Sequence, residues 1–203
     1  MHAFLASEDI AASPAFRHLD SIAGIRVDLR YATANNFVGR DLYSPFDCAW
    51  LHVQAAAVLE RVVAWLAARR PDLTVLVLDA LRPQRVQQQL WDALEGTDLR
   101  LYLADPARGS IHSYGMALDL TLVDAAGHEL DMGTGFDDMT ELSHPALEEG
   151  FVLAGRLTEA QVANRRLLRE AMLAAGFLAI KTEWWHFDCG DRDLVRRTFQ
   201  RVL

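Results

Sequence analysis

Cysteine is scarce in this 203-residue chain: Cys48 and Cys189 are the only two. That is too few for a disulfide framework and fits a reducing compartment. A basic surplus is also missing. Lys and Arg number 20 against 28 Asp and Glu, a formal charge of −8, and nucleic-acid binding needs a basic face. No apolar run approaches the ~20 residues that span a bilayer. The opening Met1-His2-Ala3-Phe4-Leu5 lacks the basic n-region and long apolar h-region of a secretory signal. The expected location is therefore the cytoplasm. Internal repeats, low-complexity tracts, heptads and a glycine-rich phosphate loop are absent as well.

What is present suffices for one good core, since 51% of the residues are hydrophobic. A single domain over residues 1–203 is expected, with a loose lead-in at 1–24 and a short basic tail at 192–203, helical and solvated. Ile25, Val27, Leu29 and Tyr31 alternate with charged residues, the period of a half-buried strand. Residues 32–46 read as a long loop, and loops of that length are often functional. Asp47 can cap a helix running to about Arg69, with His52 on it as a packing or surface residue. Thr74 to Leu78 is a β-favouring apolar run, so a strand buried on both faces. Pro83 then opens a helix to about Leu94, and residues 96–109 form a second irregular connection. Ser143-His144-Pro145 opens a short helix to about Glu149. Thr158 and Gln161 make a capping box, and Gly176 ends the helix it starts. A last strand pair covers Phe177–Ile180 and Glu183–Asp188.

Two stretches carry chemistry. The first is Gly109-Ser-Ile-His-Ser-Tyr-Gly-Met-Ala-Leu-Asp-Leu120, and the second is Glu183-Trp-Trp-His186. Between them they supply two histidines and two carboxylates, ligand types that zinc favours. A hydrolytic zinc site uses three protein ligands, leaves a position open and keeps a carboxylate nearby as base. His112, Asp119 and His186 can be the ligands, with Glu183 free to be the base. In a strand from Met116 to Val123, Leu118, Leu120 and Leu122 share one face while Ala117, Asp119 and Thr121 share the other. His112 must fold back to reach Asp119, and Gly115 is where the chain can turn. Glu183 and His186 fall on opposite faces of a regular strand, so serving one site requires a bulge or bend at the tryptophans. Each stretch alone also fits a plain reading: an exposed loop histidine with a solvated aspartate, and core tryptophans beside a satisfied histidine.

Taken together, Ser110-x-His112-x-x-Gly115-x-Ala117-x-Asp119 and Glu183-x-Trp185-His186 resemble the zinc peptidases that cleave D-alanyl peptides. Within that group the chain is most similar to the D-alanyl-D-alanine dipeptidases of glycopeptide resistance and cell-wall recycling. Three further stretches match them: Val27 to Thr33 with Asn36 to Gly39, then Asp79-Ala80-Leu81-Arg82-Pro83, then Met132-Gly133 with Phe136-Asp137. The resemblance runs from about residue 20 to residue 190. It implies one Zn2+ per chain held by His112, Asp119 and His186, with Glu183 as general base and acid. It implies Arg82 as the cation facing the tetrahedral oxyanion, and Tyr31, Ser110 and Asp137 as the lining of the substrate pocket. Asp137 suits the ammonium of a free dipeptide and Ser110 its carboxylate. The 32–46 and 96–109 loops would close the pocket at its two ends. One departure is Leu81, where an aromatic commonly precedes the Arg-Pro pair.

The expected fold is α+β: a small, mainly antiparallel sheet flanked by helices, with zinc on the open face of the sheet. The expected activity is zinc-dependent hydrolysis of D-Ala-D-Ala to free D-alanine. Its partner is a small dipeptide rather than nucleic acid or a membrane; a homo-oligomer is left open. Three alternatives stand beside this: a D,D-carboxypeptidase acting on longer peptidoglycan peptides, another dipeptide specificity on the same machinery, and a metal-binding interaction domain without catalysis. Glu183 and Arg82 speak against the last, since binding alone needs neither.

Overall fold

The structure, a computed structural model, describes residues 4–203; Met1, His2 and Ala3 lie outside them. The lead-in is more ordered than its sequence suggests. Strand β1 (Phe4–Leu5) pairs in parallel with β9 (Arg201–Val202) at the far end of the chain. Strand β2 (Phe16–His18) pairs antiparallel with β4 (Trp50–His52). That second pairing is why helix α1 (Val53–Arg69) begins later than Asp47. Trp50, Leu51 and His52 are held extended by β2, and Asp47 instead accepts a hydrogen bond from the Ala49 amide (2.8 Å). His52 becomes the N-cap, its Nδ1 accepting from the Gln54 amide (3.2 Å).

The main sheet has the order β3-β5-β6-β8-β7. Its strands are β3 (Ile25–Val27), β5 (Thr74–Asp79), β6 (Ala117–Val123), β7 (Leu178–Ala179) and β8 (His186–Asp188). Only β3 and β5 run parallel; the other neighbours are antiparallel. The alternating pattern after residue 24 holds as a strand only to Val27. The Asp28 amide makes a last bond to the Val77 carbonyl (2.9 Å), and the chain then turns through Arg30–Ala32, carrying Tyr31 to a fully buried position.

Every residue of β6 is buried, because the strand lies in the middle of the sheet. Leu118, Leu120 and Leu122 join Val75 and Val77 in one cluster with Leu59 and Val62 of α1 and Leu168 and Met172 of α4 (Glu159–Ala175). The other face carries Leu76, Leu78 and Val123 under Phe136, and with them Asp119 and Thr121. A one-residue slip of β6 would exchange the two sets. Each leucine moved off the helix-packed face would forfeit roughly 1.5–3 kcal/mol, so the register that aims Asp119 is fixed by its leucine neighbours.

Helix α2 (Gln84–Ala93) starts one residue later than expected, with Pro83 as its N-cap. Helix α3 (Glu148–Leu153) continues the short turn at Pro145–Leu147. Helix α4 has the capping box of Thr158 and Gln161 and ends at left-handed Gly176. The tail forms helix α5 (Arg192–Thr198) before β9. It is docked rather than solvated, since Val195 and Val202 are both buried.

The strand directions place the site. β3, β5 and β8 run one way and β6 the other. The C-terminal ends of the first three therefore lie beside the N-terminal end of β6. Tyr31 follows β3, Arg82 follows β5, and Asp119, early in β6, is paired with His186 of the three-residue β8, so residues far apart in sequence meet at one end of the sheet.

Candidate metal and substrate site

Asp119 and His186 are direct cross-strand partners on β6 and β8, a position where Cβ atoms stand ~5 Å apart. His112 reaches them from a tight turn over Ile111–Tyr114, which ends at Gly115 with φ 63°. Glycine is required there: a Cβ would lie 2.7 Å from the His52 amide nitrogen and 2.9 Å from the Phe16 ring. The fold-back expected at Gly115 is thus present. The expected break at the tryptophans is present too, since β8 begins only at His186 and residues 181–185 are bent. The bend brings the Glu183 carboxylate to 4.0 Å from His186 Nδ1.

The hydrogen bonds fix which ring nitrogens face each other. His112 Nδ1 lies 2.8 Å from the Ala80 carbonyl, and a carbonyl only accepts, so Nδ1 carries the proton. His186 Nε2 lies 3.0 Å from Asp188 Oδ1 and donates to that carboxylate. The remaining nitrogens, His112 Nε2 and His186 Nδ1, point at each other across 3.1 Å. Asp119 Oδ1 is 2.9 Å from the second and 3.4 Å from the first. One nitrogen from each ring and a carboxylate oxygen thus converge, all within 4.8 Å of one another, and each is a lone-pair donor when its ring carries a single proton. Such a set fits a divalent cation, and the Ala80 and Asp188 partners are the outer contacts that metal-binding histidines use. Burial works against charge on His186, yet Asp188 and Asp119 outweigh it and raise the imidazole to about 10. Asp119 is held well below the usual carboxylate range despite its burial, by both histidines.

A bulge organises the next layer. The β5–β6 register shifts between Val77 and Asp79, so that Asp79 also comes opposite Asp119. Asp79 accepts from Arg82 Nε (2.8 Å) and Nη2 (2.6 Å), and from the Tyr43 hydroxyl. Arg82 Nη2 also donates to Asp119 Oδ2 (3.2 Å) and Nη1 to Gln87 (3.2 Å). Those four bonds leave one of its five N–H groups, on Nη1, for a ligand. Burial opposes the charge on Arg82, but Asp79 foremost, and Asp119 with it, hold its pKa above the ordinary value. Its guanidinium lies 5.0 Å from the Tyr31 ring centroid. Leu81 points elsewhere, into a cluster with Ile10, Phe16 and Val202, so the missing aromatic does not touch the arginine's support.

Tyr31 donates its hydroxyl to both Asp137 oxygens, at 3.0 and 2.9 Å. Asp137 has φ 62°, the only left-handed backbone at a non-glycine among the described residues, a conformation aspartate tolerates better than most. Burial, with Asp119 and Glu183 adding to it, pushes its carboxyl well above the usual range, although Arg82 and the Tyr31 bond pull the other way. Its loop is tied down by fully buried Arg165, which donates to the Met132 and Leu142 carbonyls and to Thr134. Thr134 also accepts from Trp184 Nε1 (2.8 Å), which links that loop to the bend bearing Glu183. Burial raises the Glu183 carboxyl to about 7, with Asp119 adding to the rise and His186, Arg82 and Arg192 opposing it.

All eight residues singled out from sequence — Tyr31, Arg82, Ser110, His112, Asp119, Asp137, Glu183 and His186 — line one cavity of about 190 Å³. That is below the ~300–1,000 Å³ of sites for drug-sized ligands and suits a much smaller one. Leu101 to Ala104 of the 96–109 loop form part of its wall. The 32–46 loop contributes nothing to that lining; its residues 34–37 border a separate hollow that Asp137 also lines. Sequence reasoning missed Asp79, Asp188 and Gln87, and two tail arginines, Arg192 and Arg196, that also reach the cavity. Asp188 was findable: two residues after His186 on a strand, it shares its face.

Comparison with known proteins gives the family. The family description that matches residues 15–202 is D-ala-D-ala dipeptidase. A D-alanyl-D-alanine dipeptidase of Escherichia coli is 38% identical over 164 residues, covering 81% of this chain and 78% of that protein. One from Enterococcus faecium is 32% identical over 191 residues, covering 85% and 90% respectively. One from Streptomyces coelicolor is 33% identical over 187 residues, covering 82% and 86%. A match spanning nearly the whole chain, together with a cavity lined by three residues that could hold a metal ion, places the protein among the metallopeptidase hydrolases: it belongs to the D-ala-D-ala dipeptidase family.

Proposed function

We propose that the chain hydrolyses free D-Ala-D-Ala to two molecules of D-alanine, with one zinc ion held by His112, Asp119 and His186. The carrying observation is that one small cavity joins the three converging ligand atoms to two acids, Glu183 and Asp137, neither of which is salt-bridged to a Lys or Arg among the described residues. Two imidazoles and one carboxylate suit zinc. Zinc, when bound, supplies a Lewis acid for the scissile carbonyl and makes water a nucleophile near neutral pH.

The chain's own groups account for the rest. Glu183, beside the cluster but without a hydrogen bond to it, takes a proton from the attacking water as its oxygen bonds to the carbonyl carbon. It returns that proton to the departing amine as the C–N bond breaks. The spare Nη1 hydrogen of Arg82 is available to the oxygen that gains charge, a contact of a kind worth roughly 3 kcal/mol or more. Asp137 is half of an ion pair whose other half is missing: Tyr31 satisfies its oxygens but no side-chain cation neutralises it. The ammonium of a free dipeptide supplies that charge. In a longer peptide the ammonium becomes an amide and that pairing is lost, leaving Asp137 buried unpaired or protonated at a cost of several kcal/mol.

The test is to incubate zinc-loaded protein with D-Ala-D-Ala, with L-Ala-L-Ala and with a pentapeptide ending in D-Ala-D-Ala. The free D,D-dipeptide should be preferred by at least about 10²-fold, since each ~1.4 kcal/mol is tenfold. Equal rates on dipeptide and pentapeptide would promote the D,D-carboxypeptidase reading instead.

A further inference from the structure

The dipeptide reading leaves one end of the substrate without a charged partner. Asp137 suits the ammonium, but Ser110 offers the carboxylate only a neutral hydroxyl, one that makes no capping bond of its own. The tail supplies what is lacking. Arg192 and Arg196 stand i, i+4 on α5, hence on one face of it, and both line the cavity. Arg197, one step round the helix, does not.

Neither guanidinium is used up by the protein. Arg196 has a side chain only 13% exposed. Its Nε donates to the Gly109 carbonyl (3.1 Å), next to Ser110, and Nη1 donates to Asp193 (3.3 Å). Asp193 is shared with Arg108. Nη2 finds no protein acceptor among the described residues. Arg192 gives Nε to Asp188 (2.5 Å), and both of its Nη groups remain unbonded within the described residues. Burial, then the like charges of Arg108 and Arg192, depress the pKa of Arg196, so three arginines crowd together with few anions to answer them.

The topology sets these cations across from the acid. Tyr31 and Asp137 belong to the β3 side of the sheet and α5 follows β8, three strands over. That is about 14 Å between strand axes, narrowed from both sides by long side chains, with the ligand cluster of β6 and β8 between.

We propose that Arg192 and Arg196, with Ser110 beside them, form a carboxylate subsite that binds the free C-terminal carboxylate of the peptide substrate. The proposal rests on the dipeptide reading and completes it: the pocket is acidic at its amino end and basic at its carboxyl end, so it takes a short zwitterion. Planar guanidinium forks suit a carboxylate better than ammonium groups do.

The experiment is calorimetric binding to zinc-loaded Glu183→Gln protein, in which turnover is slow, using D-Ala-D-Ala and its C-terminal carboxamide as the two ligands. The acid should bind at least tenfold tighter than the amide, as charge-assisted hydrogen bonds imply. Adding Arg196→Gln should bring that ratio towards one by weakening the acid alone, and Arg196→Lys should restore part of it. Arg192→Gln should act in the same direction. The acid-to-amide ratio of the parent is read without any arginine variant, so a variant that misfolds does not protect the idea. Equal binding of acid and amide overturns the subsite and leaves the dipeptidase reading standing, as does a ratio unchanged by Arg196→Gln in folded protein. Binding of neither ligand overturns both.

Discussion

Replacing Asp188 separates the two things that His186 needs from it, an acceptor and a charge. Asp188 is 2% exposed, and its oxygens are divided: Oδ1 takes the His186 Nε2 proton at 3.0 Å and Oδ2 takes the Arg192 Nε proton at 2.5 Å. Asp188→Asn keeps a carbonyl oxygen for Nε2–H but loses the charge. Asp188→Ala loses both, leaves a buried N–H without a partner and frees the ring to turn or to move its proton to Nδ1, the atom aimed at the cluster. Outer partners of ligand histidines are typically worth 10–100-fold in metal affinity. The asparagine variant should therefore fall near tenfold and the alanine variant near a hundredfold, roughly 1.4 and 2.8 kcal/mol. Competition for zinc against a chromophoric chelator at fixed pH measures this directly. The alanine variant should also unfold at lower denaturant, because an unsatisfied buried donor costs ~1–3 kcal/mol. Zinc affinities within twofold of the parent for both variants would refute the idea that Asp188 fixes the tautomer of His186, and with it the choice of Nδ1 as the ligand atom.

His186→Ala removes a ligand outright and should lose bound zinc and activity together; stoichiometric zinc in the purified variant would contradict the ligand set. Glu183→Gln should keep zinc and fold while turnover drops by ~10²–10⁴, the range for general acid–base groups, and near-normal turnover would move the base elsewhere. Asp137→Asn tolerates the same left-handed backbone, so its effect should be on recognition: D-Ala-D-Ala weakens and the preference over a pentapeptide shrinks, checked as kcat/KM on each. Gly115→Ala should destabilise by about 2–5 kcal/mol, combining ~1–2 for a left-handed L-residue with ~1–3 for the contacts with His52 and Phe16. A denaturation midpoint equal to the parent's would show that the turn carrying His112 can yield.

Legibility in the sequence followed the range of the interaction that decides each element. Local signals read cleanly: the capping box of Thr158 and Gln161, the stop at Gly176, the turn at Gly115 and the leucine parity of β6 all act within a few residues. Long-range pairing did not. The helix expected from Asp47 gave up its first turn because β2, in a segment read as loose, takes Trp50 to His52 into a strand. The tail read as solvated because neither Val195 nor Val202 announces that one is covered by packing and the other paired back to Phe4 and Leu5. The three residues of the candidate metal cluster were legible as a spaced pattern, whereas Asp79 was not, since only the bulge after Val77 turns it towards Arg82 and Asp119.

The same topology divides the site by rigidity. Asp119 and His186 sit opposite each other on paired strands, β6 fully buried, and His112 is locked by a carbonyl bond and a crowded glycine turn. Those positions have no freedom to drift without breaking the core register. The groups proposed to read the two ends of the substrate stand on other supports: Asp137 on a loop clasped by Arg165, Leu101 to Ala104 on the 96–109 connection, Arg192 and Arg196 on a two-turn helix. Loops tolerate substitution and insertion far better than paired strands do. On the proposed reading, a change of peptide length or terminal chemistry can therefore be made at the rim, by altering the loop of Asp137 or the face of α5, while the paired strands hold Asp119 and His186 in place for the cluster with His112.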